Sequence, residues 1–140
     1  METFSQMKKR HEIERNNIKW KFAFGEEQFK KMLEEWNLTD KPEDLKQIVS
    51  IGYGGYILKK DLPEMTAILT RQKEEEKQAR KHKKFLKEKI LYTMANYEFG
   101  YTMDDNEVLE HLDLKAEEME SEDFKTLYQK CRKDYLRRNA

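Results

Sequence analysis

The chain has 140 residues with 28 basic against 28 acidic side chains, so net charge supplies neither a general attraction to polyanions nor a broad imitation of them. With 40% of residues charged, 37% hydrophobic and 11% aromatic, and a mean hydropathy of −1.08, composition excludes both a fully buried compact design and a fully disordered chain. The lone Cys131 excludes an internal disulfide, no apolar run approaches the roughly 20 residues that span a bilayer, and no opening run resembles a signal peptide, so a cytoplasmic protein is expected.

Residues 1–17 are polar, yet Phe4, Met7, His11 and Ile18 recur at helical intervals. This end reads as a helix, or as a basic arm whose Lys8, Lys9, Arg10 and Arg15 suit phosphate contacts. Residues 18–140 are expected to form a single domain. From Ile18 to Phe24, the series Ile18, Trp20, Phe22 and Phe24 alternates with Lys19, Lys21 and Ala23, the period-two pattern of a strand with one buried face. Gly25 ends it. Glu26 to Asn37 then reads as a helix with Phe29, Met32, Leu33 and Trp36 on one face, and with Glu26 and Glu27 at the positive end of its dipole. Leu38 to Gln47, carrying Thr39, Asp40 and Pro42, reads as a loop or a short turn of helix.

Ile48 to Lys60 holds three of the five glycines and the densest β-branched and aromatic cluster. Ile48, Val49 and Ile51 on one side, and Tyr56, Ile57 and Leu58 on the other, suit two short strands around a turn through Gly52, Gly54 and Gly55. The same glycine loop, with Tyr53 and Tyr56 beside it, has amides that suit a phosphate or carboxylate. Neither the Rossmann spacing nor the P-loop ending is present, which leaves that signal weak.

Asp61-Leu62-Pro63-Glu64 has the form of a helix start, with Asp61 as cap and proline in the first turn. With no glycine or proline until Gly100, one helix over about 62–97 is expected. Its ends are apolar. Its middle, Arg71 to Lys84, has Ala79 as its one apolar residue and is not expected in a core. Arg71, Lys73, Lys77, Arg80, Lys81 and Lys84 there suit either a solvated helix or kinked connection, held partly by side-chain pairs at four-residue spacing, or a rod that contacts nucleic acid or a nucleotide together with the glycine loop.

Tyr97, Phe99 and Tyr101 alternate as a short strand or an aromatic loop. Asp104 or Asp105 should cap a short helix through Val108, Leu109 and Leu112. Ser121 should cap a last helix striped by Phe124, Leu127, Tyr128, Cys131 and Tyr135, giving C-terminal helices over about 105–138 in which Cys131 is buried and inert. Asp104 to Asp123 contains ten acidic residues with Lys115 as the one lysine or arginine, whereas Lys125 to Arg138 is mainly basic. The acidic block suits a basic protein surface, an imitation of phosphates, or pairing with basic segments of its own chain. The fold class expected is α+β, mostly helical: a small antiparallel sheet of about three short strands packed by helices, one long charged helix and a C-terminal helix.

His11, His82 and His111 stand far apart in the sequence without a metal-ligand pattern, Asp104, Asp105 and Glu107 lack the spacing of a calcium loop, and no nucleophile has a base at a recognisable spacing. No enzyme activity, metal or cofactor is expected.

Three segments, Ala23-Phe24-Gly25-Glu26-Glu27-Gln28-Phe29, Ser50-Ile51-Gly52-Tyr53-Gly54-Gly55-Tyr56-Ile57 and Tyr92 through Asn96-Tyr97-Glu98-Phe99 to Tyr101, occur in this order. Together they resemble a family of small, functionally unassigned proteins of bacteriophages and mobile elements, over roughly Trp20 to Leu114. That family has an A-F-x-x-x-Q-F segment, a glycine-rich hairpin and an N-[HY]-E-[YF] segment. The chain departs from it in carrying Tyr97 where histidine is common, and in its long charged connection and added C-terminal helix. The resemblance implies context: an accessory protein that binds a host protein stoichiometrically, most concretely an inhibitor of a bacterial defence system such as CRISPR. Tyr53, Tyr56, Asp104, Asp105 and Glu107 are the expected partner-binding residues.

Overall fold

The computed structural model describes residues 1–139, which form two units: residues 10–74, and residues 1–9 together with 75–139. The architecture is α+β and mostly helical, with one small antiparallel sheet.

In the unit of residues 10–74 the sheet has the order β1-β3-β2, from β1 (Lys21–Phe22), β2 (Ile48–Gly52) and β3 (Gly55–Leu58). In the β2–β3 hairpin, Ile48 pairs with Leu58, Val49 with Ile57 and Ser50 with Tyr56, and a register shift between Ser50 and Gly52 makes a bulge. Tyr53 and Gly54 turn the chain with φ of 52° and 78°, the two positive values that a type I′ hairpin turn requires. Ile57 is fully buried and packs in a cluster with Ile18 and Met65.

The strand expected over 18–24 is corrected to two paired residues, and its expected buried face to a mixed one. Ile18 is buried, but Phe22 and Phe24 are exposed, while Ala23 from the opposite set is buried. The cause lies in the partner strand. Phe22 pairs with Gly55, and Phe24 lies against Gly54, so the residue opposite each ring contributes no side chain to cover it.

α2 (Glu26–Glu35) buries Met32 and Leu33 and places Phe29 edge-on to Tyr56, ring centres 5.3 Å apart. Lys21 bonds Glu35 at 2.7 Å and lies over the Trp36 ring, which ties β1 to α2. This contact holds the Glu35 carboxyl below its usual range. α3 (Pro42–Leu45) is a single turn whose Asp44 accepts from the Thr39 amide and hydroxyl at 2.7 and 2.6 Å.

Residues 4–16 form a helix, α1 (Phe4–Asn16). Its His11 carbonyl accepts from Gln72 of α4 (Leu62–Ala79) at 3.0 Å. Gln72 is buried, which corrects the expectation that the polar stretch from Arg71 stays out of the core; an amide side chain with its donor satisfied is a tolerable core residue. α4 is entered from a single 3₁₀ turn at Lys59–Asp61, with Lys59 N donating to Gln47 O at 2.7 Å, in place of the capping box expected at Asp61.

The other unit is built on α5 (Lys83–Asn96) and α9 (Glu122–Arg138). The expected helix over 62–97 is two: α4 ends at Ala79 and α5 begins at Lys83, with His82 extended at φ −90°, ψ 125°. No glycine or proline causes this break. Arg80, Lys81, Lys83 and Lys84 would stack like charges at three- and four-residue spacing in a continuous helix, which is destabilising. The break instead lets Lys89 reach Glu76 and Arg80 reach Glu118.

Ile90 and Met94 of α5 pack with Phe124, Tyr128 and Cys131 of α9, the stripe expected there. Phe99 joins them from α6 (Phe99–Thr102), a helical turn in place of the expected strand or loop. Left-handed Glu98 and Met103 flank it, at φ 50° and 54°. Val108 and Leu112 complete the cluster, Val108 from α7 (Asp105–Glu110). Within this unit the first turn of α1 docks on α5. Phe4 meets Phe85 and Tyr92, and Glu88 accepts from the Ser5 amide and hydroxyl at 2.8 and 2.7 Å. Among the described residues no helix is long and apolar enough to cross a membrane.

Candidate functional site: an exposed aromatic hairpin

Gly25 has φ 106°, a conformation that favours glycine, and starts α2 without a side-chain cap. Gln28 compensates. Its side chain accepts from the Phe24 amide at 2.8 Å, while the Ala23 amide donates to Gly54 O at 2.9 Å. The Ala-Phe-x-x-x-Gln-Phe segment is thus a local clamp, in which Ala23 is buried, Gln28 holds the Phe24 backbone and Phe29 packs on Tyr56.

The clamp sets Phe24 over the turn. Tyr53 is 98% exposed, Phe24 67% and Phe22 53%. Phe22 and Phe24 thus lie against Gly55 and Gly54, and Tyr53 stands in the turn next to Gly54, each with much of its surface in water. Tyr53 holds the left-handed conformation, uncommon outside glycine and costly by about 1 kcal/mol or more for a bulky residue. Of the residues expected to bind a partner, Tyr53 lies in this group, whereas Tyr56 is half-buried against Phe29 and serves packing. The rings of Phe22 and Phe24 were missed because their alternation reads as a buried face; the glycines opposite carry the missing signal.

The acidic candidates have structural duties in the other unit. The Asp104 side chain accepts from the Glu107 amide at 3.1 Å and caps α7. Asp105 accepts from the Tyr128 hydroxyl at 2.7 Å and from Arg132 at 3.1 Å, and burial together with this carboxylate pushes the Tyr128 phenol well above its ordinary pKa. Glu107, half-buried, offers its carbonyl to His111 Nδ1 at 2.8 Å, and the His111 ring stacks on Tyr97 with centres 4.0 Å apart. The acidic block therefore pairs in part within its own chain, one of the readings open at the outset.

The basic candidates form no continuous stripe. Arg71 pairs with Glu14, holding that carboxyl below its usual range, and Lys73 is exposed on α4. Lys77, Arg80 and Lys81 flank the break between α4 and α5, and Lys84 is exposed on α5. Arg80 donates from Nε and Nη2 to the Glu118 carboxylate at 2.9 and 2.8 Å. This bond lowers the Glu118 pKa and raises that of Arg80. Glu118 belongs to α8 (Ala116–Glu120).

No curated protein and no solved structure matches the chain. Residues 3–134 match a family of unknown function, DUF7659, and the chain belongs to that family.

Proposed function

We propose that the chain acts by stoichiometric binding to a partner protein, with Phe22, Phe24 and Tyr53 as the contact. The observation that carries this reading is Tyr53: a ring almost wholly in water, on a left-handed turn residue. Local folding does not need it there, since glycine or asparagine would satisfy the turn with less strain. Grouped exposed apolar side chains mark interaction surfaces, and aromatic residues dominate the binding energy of protein interfaces. The Gln28 clamp and the bond from Ala23 to Gly54 fix the backbone that presents Phe24 at the turn, which reduces the ordering cost of binding there.

The resemblance to bacteriophage and mobile-element proteins supports the most concrete form of this reading: an accessory protein in the bacterial cytoplasm that inhibits a defence effector such as a CRISPR complex. Tagged wild type and a Phe24→Ala/Tyr53→Ala variant, incubated with nuclease-treated bacterial lysate, provide the test. Wild type should retain one protein in near-equal amount and restore phage growth on a CRISPR-immune host. The variant should lose at least ten-fold in both. Equal capture by the variant would remove the aromatic group from the reading, and recovery of nucleic acid alone, lost on nuclease treatment, would remove the protein partner.

A further inference from the structure

Within the unit of residues 1–9 and 75–139, the end of α4, the start of α5 and the segment from Leu114 to Leu127 line a half-open cavity of about 460 Å³. That volume lies in the range of roughly 300–1,000 Å³ typical of small-molecule sites. Its apolar lining is Leu86, Leu114, Phe124 and Leu127, buried or half-buried. Its cations are Lys77, Lys81, Lys83 and Lys115, all exposed. Arg80 and Glu118 also line it but neutralise each other in their two-bond pair, which braces the turn after α4 against α8. Four lysines then face one remaining carboxylate, Asp123. Among the described residues neither Lys77 nor Lys83 has an ion-pair partner.

We propose that this cavity binds a small phosphorylated molecule with an aromatic or apolar body, of the nucleotide class. Leucines and a phenylalanine alone would accept any hydrophobe. Exposed lysines alone would attract any anion, as mobile point charges. Both in one concavity select a ligand that carries both chemistries, with its flat body on Leu114, Phe124 and Leu127 and its phosphates among Lys81, Lys83 and Lys115. The cavity is a separate feature from the aromatic hairpin and stands whether or not that surface binds a protein.

Titration calorimetry and thermal melts of the full chain with each of the four common ribonucleoside triphosphates test this, beside the matching nucleosides, inorganic triphosphate and a single-stranded DNA oligomer. A triphosphate should raise the Tm with concentration, as a ligand of the folded state does, and bind at least ten-fold tighter than either its nucleoside or inorganic triphosphate. Lys83→Glu/Lys115→Glu should weaken it at least ten-fold. Lys130→Glu/Lys133→Glu, an equal charge change on α9 at residues outside the cavity lining, should not. No binding at millimolar concentration, inorganic triphosphate bound as well as a nucleotide, or equal losses in both double variants would overturn the assignment. So would a preference for the oligomer with a steep salt dependence, which marks polymer binding through released counterions.

Discussion

A β-carbon on Gly54 would stand 2.8 Å from Cδ1 of Phe24, closer than real side chains approach, so the Phe24 ring fills the space that any other residue at position 54 would claim. Gly54→Ala therefore has two separable effects. Alanine at φ 78° costs about 1 kcal/mol, and the ring, exposed and free to swing, moves off the turn. The expected outcome is a Tm lower by a few degrees with partner capture reduced as far as in Phe24→Ala, a variant that itself melts close to wild type. Capture at the wild-type level by Gly54→Ala would show that the position of the ring does not matter.

Asp104 and Ser121 are expected to matter for stability alone. Each accepts from an amide at the start of its helix, Glu107 N at 3.1 Å and Phe124 N at 3.2 Å. Replacing either by alanine should cost about 1 kcal/mol, read as a shift in the denaturation midpoint at constant slope. Partner capture should be unchanged once folding is matched. A loss of capture by Asp104→Ala in fully folded protein would return the acidic block to the binding surface.

Lys89 is 6% exposed and pairs with Glu76 across the break between α4 and α5. Glu76→Gln leaves that buried ammonium without a counter-charge and should destabilise by about 2–3 kcal/mol, somewhat below the cost of breaking a fully buried pair because Glu76 is partly solvated. Glu76→Gln combined with Lys89→Met should recover most of the loss, since a methionine of similar volume needs no partner. A double variant no more stable than Glu76→Gln would argue against a pair that acts as a unit.

Cys131 is fully buried and its thiol is pushed up to about 11, chiefly by burial. Below about pH 9 the folded and unfolded chains both hold the proton, and the stabilisation is complete. As pH rises from there towards 11, the unfolded chain releases the proton while the folded chain retains it, so stability falls. Denaturant titrations between pH 8 and 10.5 should show this decline, and a shallower one in Cys131→Ala. At pH 8 alkylation should be slow in buffer and fast in urea; rapid alkylation in buffer would contradict the burial.

Features set by a few neighbouring residues were legible in the sequence. The caps at Asp104 and Ser121, the stripe of α9, the face of α2 and the glycine hairpin all follow from spacing within one or two turns. What escaped depends on residues far apart in the chain. The alternation of Trp20, Phe22 and Phe24 does not reveal that Gly54 and Gly55 lie opposite. The stretch from Arg80 to Lys84 lacks any helix breaker, and its break follows from crowded like charges and from partners at Glu118 and Glu76. Of the aromatic group, Tyr53 was legible as an isolated turn residue, but its neighbours Phe22 and Phe24 become visible once β1 is placed. The cavity draws on residues from Lys77 to Leu127, a span no local motif covers.

The pairing of β1 with β3 also sets an order of events. Hairpin residues Ile48 to Leu58 close over a few residues, whereas Lys21 must find Tyr56 across some 34 intervening positions, for only two residues of ladder. Loop closure of that length is entropically slower and weakly rewarded. The hairpin therefore forms first and β1 joins late and leaves early. The Ala23 amide, bonded to Gly54, should exchange with solvent deuterium well before the amides within the hairpin ladder. Each such opening carries Phe22 and Phe24 off Gly55 and Gly54, so protection at this single amide measures the fraction of time for which that surface is assembled.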